Sequence, residues 1–337
     1  MTNTKKRKIP FVPYFAVIAM IACTVIRYLQ YSTVIRIDTG FFEPDGGFLN
    51  HAYYVAFAAF AVIAIALSVF DSRAKCGITS DSAKRPFTAI SAISGGIAFS
   101  VCGFLLAIKA VSAIGGGATA IYSVMIVLAT LSYTLIGFML LSRKKLPPIV
   151  SLAFVFIAGY SITEGVAEFM QRAYNLNLTG RLVDISINIL LSVFFLSCGK
   201  IIVQSSTRVT PVSATLFGYG AALLIVSDGA ARYLYYNTVD ADTQSVLTDT
   251  FANGFELPSV FFFAQAVAVL CLICVLSSSS RKKESQEESQ EESQESPELN
   301  QNESENVENH EKVNETTIET IGESPANGST ADVNADN

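Results

Sequence analysis

The sequence predicts an all-α integral membrane protein: a polytopic bundle of about eight transmembrane helices built from repeated helical hairpins, with a disordered acidic C-terminal tail. Three observations carry this. Apolar residues make up 51% of the 337 residues and charged residues only 15%, against about 25% charged in an ordinary soluble domain. The apolar residues fall in blocks of roughly 20, the length a helix needs to cross a hydrocarbon core of about 30 Å. Basic residues recur in every second loop, as in a chain threaded back and forth across a bilayer.

Taken in order, residues 1–10 form a basic N-terminus carrying Lys5, Lys6, Arg7 and Lys8, residues 11–280 the eight-helix domain, and residues 281–337 the tail. The expected spans are about 11–29, 48–70, 88–110, 119–142, 149–170, 183–203, 211–233 and 259–278. Proline opens several of them, at Pro86, Pro147-Pro148, Pro211 and Pro258, where its missing N–H would be unpaired in any case. The first span has the layout of a signal peptide, and Met20-Ile21-Ala22-Cys23 loosely resembles a lipoprotein cleavage box. The apolar run continues past Cys23, however, so it reads as a retained helix.

Orientation follows from the basic loops. Lys5 to Lys8; Arg73, Lys75, Lys84 and Arg85; Arg143 to Lys145; Lys200 and Arg208; and Arg281 to Lys283 all fall on one side of an eight-helix threading. That side reads as cytoplasmic, with both termini on it, in a plasma membrane. The opposite loops carry Asp38, Glu43 and Asp45, then Asp240, Asp242, Asp249 and Glu256, and nine tyrosines gather at that outer level. The net charge of -6 conceals two populations. Residues 284–337 hold 16 acidic residues against one lysine, so the rest of the chain is basic. A basic body is what inside-positive loops produce and does not argue for nucleic acid. The tail begins with a Glu-Ser-Gln-Glu repeat and has almost no large apolar residue, so it lacks the surface to offset ordering entropy.

One motif occurs twice. Arg27-Tyr28-Leu29-Gln30-Tyr31-Ser32-Thr33-Val34 is followed by Asp38-Thr39, and Arg232-Tyr233-Leu234-Tyr235-Tyr236-Asn237-Thr238-Val239 by Asp242-Thr243. This reads as a duplicated hairpin, the first and last of four. Arg27, Lys109, Arg172 and Arg232 each mark the outer end of an odd-numbered span. Snorkelling to the headgroups is the plain account of these side chains; a shared polar site is the functional one. Asp228 and Arg232 are four apart and can pair on one helix face.

Glu164 is the deepest carboxylate, with Glu168 one turn on and Arg172 one turn beyond. Two carboxylates within a turn raise each other's pKa, which suits a proton- or cation-coupled site. The plain account pairs Glu168 with Arg172 and bonds Glu164 to a neighbouring Ser or Thr. Asp184 and Asn188 are one turn apart on the next span, facing Glu164 and Glu168 or serving the helix dipole. Gly159, Thr163 and Ala167, and likewise Ala92, Gly96 and Ser100, form small-residue stripes suited to close packing.

Other signals are weaker. The six cysteines imply no disulfide, and Cys271-Leu272-Ile273-Cys274 reads as packing. Asp38-Thr39-Gly40 reads as a turn, and His51 lacks the companions of a metal site. Asn177-Leu178-Thr179 matches a glycosylation acceptor. No cofactor, metal or enzyme motif is present. The expectation is therefore a non-enzymatic membrane protein in the lipid bilayer, best read as a permease for a small solute or cation. Its expected ligand site comprises Glu164, Glu168, Arg172, Asp184, Asp228, Arg232 and Arg27. The alternative is a non-catalytic scaffold or sensory subunit that meets a protein partner through its outer loops and acidic tail.

Overall fold

A computed structural model describes residues 11–36, 42–73, 89–116, 119–142, 146–171, 179–203, 210–250 and 260–294. Two compact units are distinguished, residues 1–288 and 289–337, and the packing below concerns the first. Nine helices are present among the described residues: α1 Val12–Thr33, α2 Leu49–Arg73, α3 Ala89–Gly115, α4 Ala120–Leu141, α5 Val150–Gln171, α6 Thr179–Ile202, α7 Thr210–Thr238, α8 Ala241–Thr250 and α9 Val260–Gln294. All but α8 are long and apolar enough to cross a membrane. The described residues contain no strand, only an isolated bridge between Ile35 and Phe42. The chain is a multi-pass helical membrane protein.

Each expected span coincides with a helix to within a few residues, and two segments differ. The loop expected over 237–257 contains α8. Asp240 accepts a hydrogen bond from the Thr243 backbone N–H at 3.4 Å, and its own carbonyl accepts the first helical bond, from Gln244. It is the cap that nucleates this short polar helix. The tail was expected to begin at 281, yet α9 continues to Gln294. Extending an existing helix adds one hydrogen bond per residue without a new nucleus, and Lys, Glu and Gln propagate helix well. Residues 295–337 lie outside the described residues.

The surface is apolar and one stripe of each helix is enclosed. On α1 the enclosed residues are Val12, Ala16, Ala19, Met20, Cys23, Arg27, Gln30 and Tyr31, at helical spacing, while Val17, Ile18 and Ile21 point outward. This is the arrangement expected where lipid replaces water: bulky side chains face out, while small and polar ones sit at helix contacts.

Contacts between helix ends establish the threading. The start of α1 meets the end of α2, where the Phe11 and Val12 N–H groups donate to the Asp71 carboxylate at 3.0 and 3.1 Å. The free N–H groups at the start of α1 are thus capped by the neighbouring helix rather than by a side chain at its own N-cap. The start of α3 meets the end of α4 at Gly96 and Gly137. A Cβ on Gly137 would lie 2.9 Å from the Gly96 carbonyl oxygen and from the Ser100 nitrogen, so only glycine permits this approach. The end of α6 meets the start of α7 through Ser197 and Ser213, 3.0 Å apart.

α7 is the most enclosed span and packs against α1, α2 and α6. Ala214, Gly218, Gly220, Ala221 and Ala222 keep its surface small there. In the centre Tyr133 packs among Phe99, Phe195 and Phe261, with ring centres 5.7 to 6.2 Å apart. Its hydroxyl accepts a hydrogen bond from Gln265 of α9 at 2.7 Å, so a polar bond ties α9 to α4 in an otherwise apolar core. The five described cysteines are free.

Candidate functional site

The two copies of the repeated motif lie on α1 and α7, and these helices pack side by side. Both arginines therefore reach the same place. Arg27 Nε donates to Asp228 Oδ1 at 2.7 Å, and its Nη1 donates to Gln30 Oε1 at 2.9 Å. Arg232 meets the other oxygen of the same carboxylate, Nη2 to Oδ2 at 2.6 Å, outside hydrogen-bonding geometry. Tyr31 joins the two halves, because its hydroxyl donates to Asp228 Oδ1 at 3.0 Å and accepts from Arg232 Nε at 3.1 Å.

The surroundings hold this arrangement rigid. Gln30 Nε2 donates to the Leu49 carbonyl at 2.7 Å, anchoring the cluster to the first turn of α2. The Tyr31 and Tyr53 ring centres lie 4.7 and 5.0 Å from the Arg27 guanidinium carbon, close enough for cation–π attraction. The Tyr53 hydroxyl bonds to Ser227 Oγ at 2.8 Å. Tyr235, from the second copy of the motif, stacks on Tyr31 with ring centres 6.1 Å apart.

Arg27 is 0% exposed and Asp228 3%. The snorkelling expected of Arg27 is therefore not what it does. Its stem turns inward, because α7 offers a carboxylate at the same depth and paired burial costs less than a lone charge facing lipid. The i,i+4 pairing of Asp228 with Arg232 is present, but Asp228 serves two arginines. Arg27 Nη2 is enclosed and has no hydrogen-bond partner among the described residues.

Asp184 of α6 approaches Arg232 Nη2 at 3.9 Å. It faces the α7 cluster, where the sequence alone set it across from Glu164. Asn188, one turn on, packs its Cβ 3.4 Å from where Gly165 would carry one, and its Nδ2 is enclosed without a partner.

Glu164 lies in a separate group. One carboxylate oxygen is ion-paired to Lys109 of α3, and the other accepts from the Tyr122 hydroxyl of α4 at 2.7 Å. Lys109 also donates to the Tyr160 hydroxyl at 3.4 Å. This replaces the expected bond to a neighbouring Ser or Thr. The side chain of Glu168, and Arg172 entirely, lie outside the described residues, as does the Asn177-Leu178 part of the glycosylation match.

Sequence reasoning did not pick out Gln30, Tyr31, Tyr53, Ser227 or Tyr122 as members of these groups, and it named Lys109 without pairing it to Glu164. Gln30 carried a signal: an amide three residues after Arg27, on the same face of an apolar helix. Tyr53 carried none, because eight other tyrosines sit at the same level. Compared with known proteins, the chain matches no family model, no curated protein and no solved structure.

Proposed function

We propose that the protein is a permease-like membrane protein that binds a small solute at the cluster formed by Arg27, Asp228 and Arg232. The observation that carries this reading is an enclosed charged network shared between the first and seventh helices, both long and apolar enough to cross a membrane. Ionised groups in a membrane span are costly, and where they occur they commonly line a ligand or ion path. Binding sites in many transporters lie where repeated halves of the chain meet. The duplicated hairpin read from the sequence belongs to this proposal, since each copy supplies one guanidinium. So do the plasma-membrane location, the cytoplasmic termini and the absence of enzymatic chemistry.

This moves the centre of the site away from Glu164, whose two oxygens are already occupied by Lys109 and Tyr122. That same occupancy favours a second reading, in which both charged groups are structural clasps of a membrane scaffold that meets its partner through the tail. The two readings separate in proteoliposomes. Purified protein is tested for uptake of a panel of labelled small solutes, beside Arg27→Lys and Glu164→Gln. Uptake lost in Arg27→Lys and kept in Glu164→Gln supports the permease reading. No uptake of any solute by correctly inserted wild-type protein, and no thermal stabilisation by any of them, defeats it in favour of the scaffold.

A further inference from the structure

We infer that the ligand of the Arg27 cluster is a small monovalent carboxylate. This rests on reading the cluster as a solute site and adds the charge and chemistry of the solute. Two observations point the same way.

The first is charge. Two guanidiniums, Arg27 and Arg232, share the single enclosed carboxylate of Asp228, which leaves one positive charge in surplus. Asp184 offsets only part of it, at 3.9 Å from Arg232 and with its side chain 26% exposed. An uncompensated charge at this depth is costly. Because Asp184 offsets part of the surplus, one negative charge is the most the cluster takes up, and a cation worsens the imbalance.

The second is hydrogen bonding. Two of the three Arg27 nitrogens are used, by Asp228 and Gln30. The third, Nη2, is an enclosed donor without a partner among the described residues, and such donors are rare because leaving one unpaired costs most of its desolvation. It needs an acceptor, and a carboxylate oxygen is the acceptor guanidinium binds best.

The test uses full-length protein in neutral detergent. Sodium acetate is exchanged for sodium chloride at constant sodium, and separately choline for sodium at constant chloride. Thermal unfolding and tyrosine emission are the readouts; the chain has no tryptophan, so its emission reports the tyrosines. Acetate is expected to raise the unfolding temperature saturably, and cation exchange to leave it unchanged. Arg27→Lys, which keeps the charge but loses the fork of donors, should weaken acetate at least about tenfold. Asp184→Asn removes a partly exposed negative charge beside Arg232 and should tighten acetate by about three- to tenfold. That gain keeps the test decisive should Arg27→Lys not fold.

A response that follows the cation overturns the inference, as does weaker acetate binding in Asp184→Asn. A shift produced by added phosphatidylglycerol but not by acetate makes this a lipid headgroup site and also overturns it. Stabilisation by an uncharged solute with acetate silent refutes the carboxylate while leaving the permease reading standing. Silence to every solute class defeats both.

Discussion

Replacing Asp228 by asparagine removes the one negative charge lying between Arg27 and Arg232. Asparagine keeps an oxygen that accepts from Arg27 Nε and Tyr31, as Asp228 Oδ1 does at 2.7 and 3.0 Å. Most of the hydrogen bonding therefore survives, and what is lost is charge. Both arginines are largely enclosed, so neither can turn to water for compensation. Removing one partner of a buried pair costs about 3–5 kcal/mol, whereas a neutral hydrogen bond between membrane helices averages about 0.6 kcal/mol. Asp228→Asn is thus expected to lose at least about 3 kcal/mol, measured by unfolding in mixed micelles of rising dodecyl sulfate fraction and followed by circular dichroism. The combined change Arg27→Met, Asp228→Leu and Arg232→Met should recover most of that loss, since a well-packed apolar replacement of a buried ion cluster is often neutral or stabilising. An Asp228→Asn protein within about 0.5 kcal/mol of wild type, the range of an ordinary surface change, would refute the reasoning by showing that the arginines are compensated from elsewhere.

Other consequences follow from the packing. Gly137→Val places side-chain atoms against the Gly96 carbonyl and Ser100 and should cost about 1–3 kcal/mol or more in the same unfolding assay. Asp71→Ala uncaps α1 and should cost about 0.5–2 kcal/mol, with faster amide exchange at Phe11 and Val12. The hydrogen bond from Thr243 holds the Asp240 carboxyl below its ordinary range. Its support for α8 is therefore complete at neutral pH and is lost as acid protonates the carboxylate, so amide exchange at Thr243 should quicken, after correction for intrinsic rates, only at strongly acidic pH.

Helix number and position were legible because membrane thickness imposes a length on every span, and length is written directly in the apolar runs. The capping of α8 was also written, in Asp240 and in Asp242 of the first turn, but a polar segment between long apolar runs reads first as loop. The joining of Arg27 to Asp228 was not legible, since they lie 201 residues apart and nothing local sets α1 beside α7. The motif gave an oblique clue: two arginines at matching depth on two outgoing helices can share one counter-charge when the helices adjoin. Glu164 shows the same limit. Its depth made it conspicuous, and its partner Lys109 lies two helices away, at a distance the sequence does not encode.

The adjacency of α1 and α7 is the point on which the account turns, and chemical cross-linking in native membranes tests it most directly. With the native cysteines replaced, cysteines are introduced at Tyr28 and Tyr235, whose ring centres lie 6.3 Å apart. A short bis-methanethiosulfonate should link them in high yield within a single chain, and should fail when the α1 cysteine is moved to Ile18, on the outward face. Absence of the Tyr28–Tyr235 link, or equal linking from Ile18, would contradict the shared cluster and everything built on it.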